Sequence, residues 1–296
     1  MDILRRAANP WDQEVLLGIG WDLFWWAVAA GAVFVVVHTL LVWRLSRRAA
    51  TRPPTATPGG AADATAVPPR VVRHSLGSRL FHWSMALAML VLLGTAFVPV
   101  MGFRFDWVTI HWVAGLVLIA TVAYHVVRAT FFQSPRAIWV GARDVREGAR
   151  ELRHLLGVGE APLVKPGKYA VGNKLYHHGA AAATLAAIAT GVLMMVRIDT
   201  PLFTQDPYLL GDATWGMVYV LHGAAGVLLV LMVIAHVYFA VRPEKRWQTR
   251  AMIKGWITRE EYLEEHDTSR WPLPAGEGSG EGEPATGDRV PVSAGG

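Results

Sequence analysis

Five stretches of this chain are each long and apolar enough to cross a lipid bilayer, and they limit its fold more than any other feature. They are Leu23–Trp43, Leu80–Phe103, Trp107–Phe132, His177–Val196 and Thr214–Val241. A helix needs about 20 mainly apolar residues to traverse a hydrocarbon core of about 30 Å. Backbone amides meet no water there, so only helices and closed barrels survive, and these unbroken runs lack the alternation of barrel strands. The composition agrees. Hydrophobic residues make up 53% and charged residues 17%, against about 25% charged in soluble domains, and the mean hydropathy is +0.31. The first run is too long for a signal peptide, and Arg44, Arg47 and Arg48 follow it as they would a stop-transfer helix. The expected fold is an all-α integral membrane protein, multi-pass in a bacterial cytoplasmic membrane. It comprises a four-helix transmembrane bundle over 74–241 and one extra N-terminal transmembrane helix within 1–43.

Basic residues set the orientation. Of 28 Lys and Arg, seven fall between Trp43 and Leu80, eight between Phe132 and His177, and eight after Val241. The alternate segments hold only Arg5, Arg6, Arg104 and Arg197. Positive charge accumulates on cytoplasmic loops, which places the N-terminus outside and the C-terminus inside. The same loops account for the pI of 9.7, so no nucleic-acid partner is expected. Segment 44–73 is rich in Pro, Ala and Thr and reads as a cytoplasmic linker. In the inner loop 133–176, Ala142–Leu156 mixes Arg, Glu and apolar residues as an amphipathic helix does. A cytoplasmic C-terminal segment, 242–272, precedes a Gly-, Glu- and Pro-rich stretch, 273–296, that reads as a disordered tail. None of these is expected to house a catalytic domain. Most of the 13 tryptophans mark helix ends, among them Trp21, Trp25, Trp26, Trp43, Trp107 and Trp215, as interfacial belts do. Trp83 and Trp112, beside candidate ligands, read as packing.

The chain has no cysteine, which excludes thiolate zinc sites, iron–sulfur clusters and covalently attached haem. Eleven histidines remain as the ligand supply. His111-Trp-Val-Ala-Gly115 leads on to His125, and His222-Gly-Ala-Ala-Gly226 leads on to His236, both in the pattern His-x3-Gly-x9-His. Fourteen residues make just under four helical turns, so the two histidines of each helix share a face about 21 Å apart. Each glycine lies one turn from its outer histidine, where a missing side chain admits a flat macrocycle. The inner ends of two further runs also match, Arg79-Leu-Phe-His82-Trp83 against Lys174-Leu-Tyr-His177-His178. The chain thus holds two copies of a two-helix unit. A lone membrane histidine is explained by a hydrogen bond to a neighbouring helix. Two helices with the same spacing and the same glycine offset are better explained by imidazole on both faces of iron porphyrins, and two haems are expected. His111 and His222 supply the outer one. Spacing leaves the inner pair open among His82, His125, His177, His178 and His236, with His38 a further outsider.

At these residues the chain resembles the cytochrome b (gamma) subunit of respiratory formate dehydrogenases, within a wider bacterial di-haem cytochrome b family that also serves hydrogenases and thiosulfate reductases. The resemblance covers about Arg73–Trp271. It rests on Arg79-Leu-Phe-His82-Trp83, His111-Trp-Val-Ala-Gly115, Lys168-Tyr169…Gly172-Asn173-Lys174, His222…His236 and the ending Met252-Ile-Lys-Gly255-Trp256…His266…Arg270-Trp271. It implies two haem b groups, the inner on His82 and His236, the outer on His111 and His222 with Gly115 and Gly226 nearby. His125 and His178 are then reserve inner-side ligands, and His125 is a spare, a group that supports a ligand from behind, or one that displaces His82. The resemblance also implies a quinone, menaquinone or ubiquinone, near the inner haem beside Lys168–Lys174. Ala170 stands where the family has an asparagine, which leaves Gly172 and Asn173 as the candidate contacts. The implied partners are an iron–sulfur (beta) subunit and a catalytic molybdenum or tungsten (alpha) subunit. The first helix falls outside the resemblance; it is expected to replace the anchor helix of the iron–sulfur subunit, or to pack beside it.

These readings describe an electron conduit, from a partner enzyme outside through two bis-histidine haems to a quinone inside. Walker and dinucleotide loops are absent, and the chain has no complete active site of its own. A hydrogenase or thiosulfate-reductase cytochrome is the alternative in which only the partner differs. A histidine-lined proton or metal transporter without haem is the alternative from another class. His154 and His266 are assigned no metal.

Overall fold

A computed structural model describes residues 2–50, 67–132, 137–158 and 165–273. In chain order the elements are strands β1 (Leu4–Ala8) and β2 (Glu14–Ile19), helix α1 (Asp22–Ala50), strand β3 (Arg70–Val72), and helices α2 (Leu76–Phe97), α3 (Trp107–Phe132), α4 (Ala142–Leu155), α5 (Val171–Met195), α6 (Asp212–Val241) and α7 (Arg246–Lys254). Strand β4 (Trp256–Thr258) and helix α8 (Arg259–Glu265) follow. Helices α1, α2, α3, α5 and α6 are long and apolar enough to cross a membrane. Val33, Leu87, Val117 and Leu228 on them are exposed, a surface that lipid rather than water accommodates. The helices outrun the apolar segments that announce them, because a helix continues past the hydrocarbon into the polar zone. Thus α2 starts at Leu76, where the Ser75 hydroxyl accepts from the Ser78 amide (3.3 Å), and α5 starts at Val171.

Tertiary contacts divide the chain into two compact units. The first comprises Met1–Val35, Phe81–Ala123 and His178–Tyr238. Its N-terminal hairpin, β1 antiparallel to β2, has no counterpart in the sequence expectations. The Asn9 side chain sets the turn by accepting from the amides of Trp11 (3.0 Å) and Gln13 (2.9 Å). The hairpin lies on α6 at two glycines two turns apart. A Cβ on Gly216 would stand 2.5 Å from the Leu16 Cβ, and one on Gly223 would stand 2.8 Å from Ile19. Trp215 is 2% exposed, with its indole N–H on the Pro207 carbonyl (3.1 Å) and the Arg197 guanidinium over its ring. It is therefore a buried residue and not the interfacial one expected. Helix α1 packs within the chain: Phe24 stacks on Phe97 of α2 at 4.6 Å, Phe34 meets Tyr238 of α6, and Ala27, Phe97 and Val230 form a buried cluster.

The second unit comprises Val36–Leu80, Tyr124–His177 and Phe239–Gly296. The linker reading stops at β3, which pairs antiparallel with β4, Val71 opposite Ile257. Residues 51–66 of that linker, and 274–296 of the tail expected to be disordered, lie outside the described residues. Val71, Ala251, Ile257 and Tyr262 are nearly inaccessible and make a small core with Val67. Helix α7 ends on Gly255 at φ 93, whose carbonyl accepts from the amides of Arg73 (2.8 Å) and His74 (2.9 Å). Thr258 and Glu261 cap α8 reciprocally. The unit is closed by a buried guanidinium–imidazole clasp. Arg73 Nη1 donates to His266 Nε2 (2.9 Å) and Nη2 to the Lys168 carbonyl (2.9 Å), while His266 Nδ1–H donates to the Gly167 carbonyl (2.8 Å). Arg270 ties this layer to α4 through Glu147 (3.2 Å) and the Lys165 carbonyl (3.0 Å).

Burial, and next the Arg73 charge, push the His266 imidazole down to about 4. In the unfolded chain it protonates near its ordinary value of about 6.5. The unfolded state therefore binds the extra proton between those values, so the contribution is full above about pH 6.5 and is lost as pH falls toward 4. In detergent, thermal unfolding followed by circular dichroism should place wild type on the order of 2–3 kcal/mol above His266→Gln at pH 7.5. The gap should close as the pH falls to 4.5; a gap independent of pH would contradict the clasp.

Candidate functional site

The two-helix repeat brings histidines from different helices face to face. Gly77, Arg79, Leu80, His82 and Thr95 of α2 recur at the same spacing as Gly172, Lys174, Leu175, His177 and Thr190 of α5. His111, Gly115, Leu118 and His125 of α3 recur as His222, Gly226, Leu229 and His236 of α6. In the first unit His111 faces His222 with ring centroids 6.2 Å apart and planes at 69°, and His82 faces His236 at 6.1 Å and 47°. In the second unit His125 faces His177 at 6.1 Å and 67°.

Edge-to-face aromatic contacts also fall in this range, so the distance alone does not define a site. Its agreement with ligation is nevertheless close. A metal–imidazole bond is about 2 Å. Two such bonds in line, with about 1 Å more from each nitrogen to its ring centre, put axial imidazoles about 6 Å apart.

The hydrogen bonds of the His111–His222 pair add a second, independent sign. The Thr95 hydroxyl lies 2.8 Å from the Val91 carbonyl and 3.0 Å from the Leu92 carbonyl, and 2.8 Å from His111 Nδ1. The Thr190 hydroxyl lies 2.6 Å from the Ala186 carbonyl and 3.0 Å from His222 Nδ1. A carbonyl only accepts, so each threonine spends its one proton there and its oxygen accepts from Nδ1–H. Both imidazoles are thereby held as the Nδ1–H tautomer, with the Nε2 lone pair left for a metal. These threonines escaped the sequence reading, although each follows its histidine, His82 or His177, by the same interval in both copies.

The other candidates divide. His38 Nδ1 accepts from the Arg242 guanidinium (3.0 Å), which puts the ring proton on Nε2 and gives the ring a structural role. His178 stands one residue, a 100° turn of helix, from His177. A Cβ on Gly115 would meet open space, and one on Gly226 would make ordinary contact with the Phe97 ring at 3.6 Å. Gly172 and Asn173 are exposed in the first turn of α5. Beside them Lys174 pairs with Asp144 (2.9 Å). Burial raises the Asp144 carboxyl, but the Gly141 amide and the Lys174 ammonium outweigh it and hold the group below its usual range. Among the described residues no three or more His, Asp or Glu gather as a bare metal ion would require. The imidazoles meet in twos, the number that remains when a porphyrin supplies the other four ligands.

A family model described as prokaryotic cytochrome b561 matches residues 73–255, more than half of the chain. No curated protein matches the sequence.

Replacing Thr95 or Thr190 by valine keeps the shape and removes the acceptor that orients its imidazole. Such outer partners are worth about 10–100-fold in metal affinity. Haem loss to an excess of apomyoglobin should therefore quicken by about that factor in each variant, with the fold unchanged by circular dichroism. Wild-type retention in both would contradict the tautomer assignment.

Proposed function

The chain belongs to the prokaryotic cytochrome b561 family, membrane-embedded b-type haem proteins that transfer electrons, and from that premise we propose that it is the di-haem cytochrome b subunit of a respiratory formate dehydrogenase. The reading rests on one observation, the two facing pairs His111–His222 and His82–His236. His222 and His236 stand about 21 Å apart along α6, enough to cover most of a hydrocarbon core. A bound haem supplies one-electron exchange between ferric and ferrous iron. The protein's part is to set the spacing, fix the axial nitrogens and surround the site with apolar side chains that exclude water.

With the N-terminus outside, as the basic loops indicate, His111 and His222 lie toward the outer surface, where an iron–sulfur partner delivers electrons taken from formate by a molybdenum or tungsten subunit. His82 and His236 lie toward the inner surface, where a quinone accepts two electrons and two protons. The C-terminal motif supports the formate reading. His266, Arg270 and Trp271 close over Lys165–Lys168, so the ending that resembles formate dehydrogenase meets the start of the segment where the quinone is expected. Helix α1 packs on α6 within the chain, a position that suits a helix replacing the iron–sulfur partner's anchor or packing beside it. Family membership leaves no support for a haem-less transporter.

The test is to isolate the native complex through a tag on this chain and add candidate donors. Formate should reduce the haem, and replacing His111 and His222 together by alanine should abolish electron transfer from formate to added quinone. Reduction by dihydrogen and not by formate, or oxidation of the reduced haem by thiosulfate, would move the chain to a hydrogenase or thiosulfate-reductase complex.

A further inference from the structure

We propose that His125 and His177 form a third bis-imidazole haem site, the counterpart of His82–His236 in the other copy of the repeat. The inference rests on the reading of the first two pairs as haem sites and goes beyond it.

Three observations carry it. The centroid separation at His125–His177, 6.1 Å, equals that at His82–His236. The sequence register then makes the two pairs equivalent. Exchanging the copies sends His82 to His177 and His236 to His125, while His111 and His222 simply trade places. A chain built from two such units therefore contains one site shared between the copies and two versions of the other. Both versions also keep the lead-in Gly-x-(Arg or Lys)-Leu-(Phe or Tyr)-His, at Gly77–His82 and Gly172–His177. Drift of the duplicate toward a plain structural contact would not be expected to preserve the ring spacing, the lead-in and both imidazoles together. Two protein ligands are also too few for a structural zinc, which takes four, whereas they complete an iron porphyrin.

The copies differ in nearby charge, which gives the third site its own signature. One turn beyond His125 is Arg128, which donates to the Ser75 hydroxyl (2.7 Å). The equivalent residue beyond His236 is Phe239. A guanidinium one turn away favours the less positive, ferrous state of the iron. Arg79 stands one turn before His82 and the Lys174–Asp144 ion pair one turn before His177, so the two haems should differ in midpoint potential.

The experiment is haem counting by pyridine haemochrome per polypeptide, with a redox titration, on the full chain in detergent. Wild type should hold three haems. His125→Leu, His177→Leu and the double variant should each hold two and lack the same titration component, while His82→Leu should lose a different one. Two haems in wild type, unchanged in the His125 and His177 variants, would overturn the third site and leave the di-haem reading standing. Three haems in wild type that all survive the double variant would place the third elsewhere and overturn it as well. No haem in folded protein would bring down both. Circular dichroism and a monodisperse elution profile separate a lost site from a lost fold.

Discussion

An imidazole inside a membrane has two polar nitrogens to satisfy and no water to do it, and most of this structure follows from how that demand is met. Leaving either nitrogen unpaired in hydrocarbon costs several kcal/mol. At the His111–His222 pair, Thr95 and Thr190 each pass their own proton to a carbonyl of their helix and accept the Nδ1 proton of the facing histidine. One nitrogen is thereby satisfied and the tautomer fixed in a single step. What remains on each ring is the lone pair of Nε2, an atom through which a neutral imidazole ligates a metal. The spacing of about 6 Å between ring centres is then a property of the helices and their repeat.

The same chemistry is used to the opposite end at His266. There the ring also gives its Nδ1 proton to a carbonyl, but its Nε2 accepts from Arg73, so no lone pair is left for a ligand. His38 achieves this differently, with Arg242 on Nδ1. The arginine partners tie His266 and His38 into the structure, whereas the threonine partners of His111 and His222 leave the Nε2 side of each ring open to a ligand. That distinction separates His111 and His222 from His266 and His38, which composition alone leaves equivalent.

The spanning helices were legible in the sequence because hydrocarbon imposes a length and a polarity that few alternatives satisfy; α3 runs from Trp107 to Phe132 as the apolar run does. The pairing of His111 with His222 was legible for a related reason, since a repeated 14-residue interval carries depth information. The choice among the remaining histidines was not, because spacing along a helix says nothing about which neighbour it faces. Spacing left His125 open as a spare or a rival of His82, and could not show that it faces His177 of α5. The hairpin of β1 and β2 and the strand pair β3–β4 were also hidden. Both consist of short segments whose partners are distant in sequence or whose stability comes from docking, Leu16 and Ile19 onto two glycines of α6 and Val71 onto Ile257. Trp215 was misread for the same reason: its composition fits an interface, but its contacts bury it.

The claim on which the account depends is that facing imidazoles, and no other side chains, hold the iron. Low-temperature electron paramagnetic resonance of the oxidised, detergent-solubilised chain, with near-infrared magnetic circular dichroism on the same sample, reads the axial ligands directly. The account predicts low-spin ferric haem with bis-imidazole charge-transfer bands and no high-spin component. A dominant high-spin signal, or bands of histidine–methionine ligation, would contradict it.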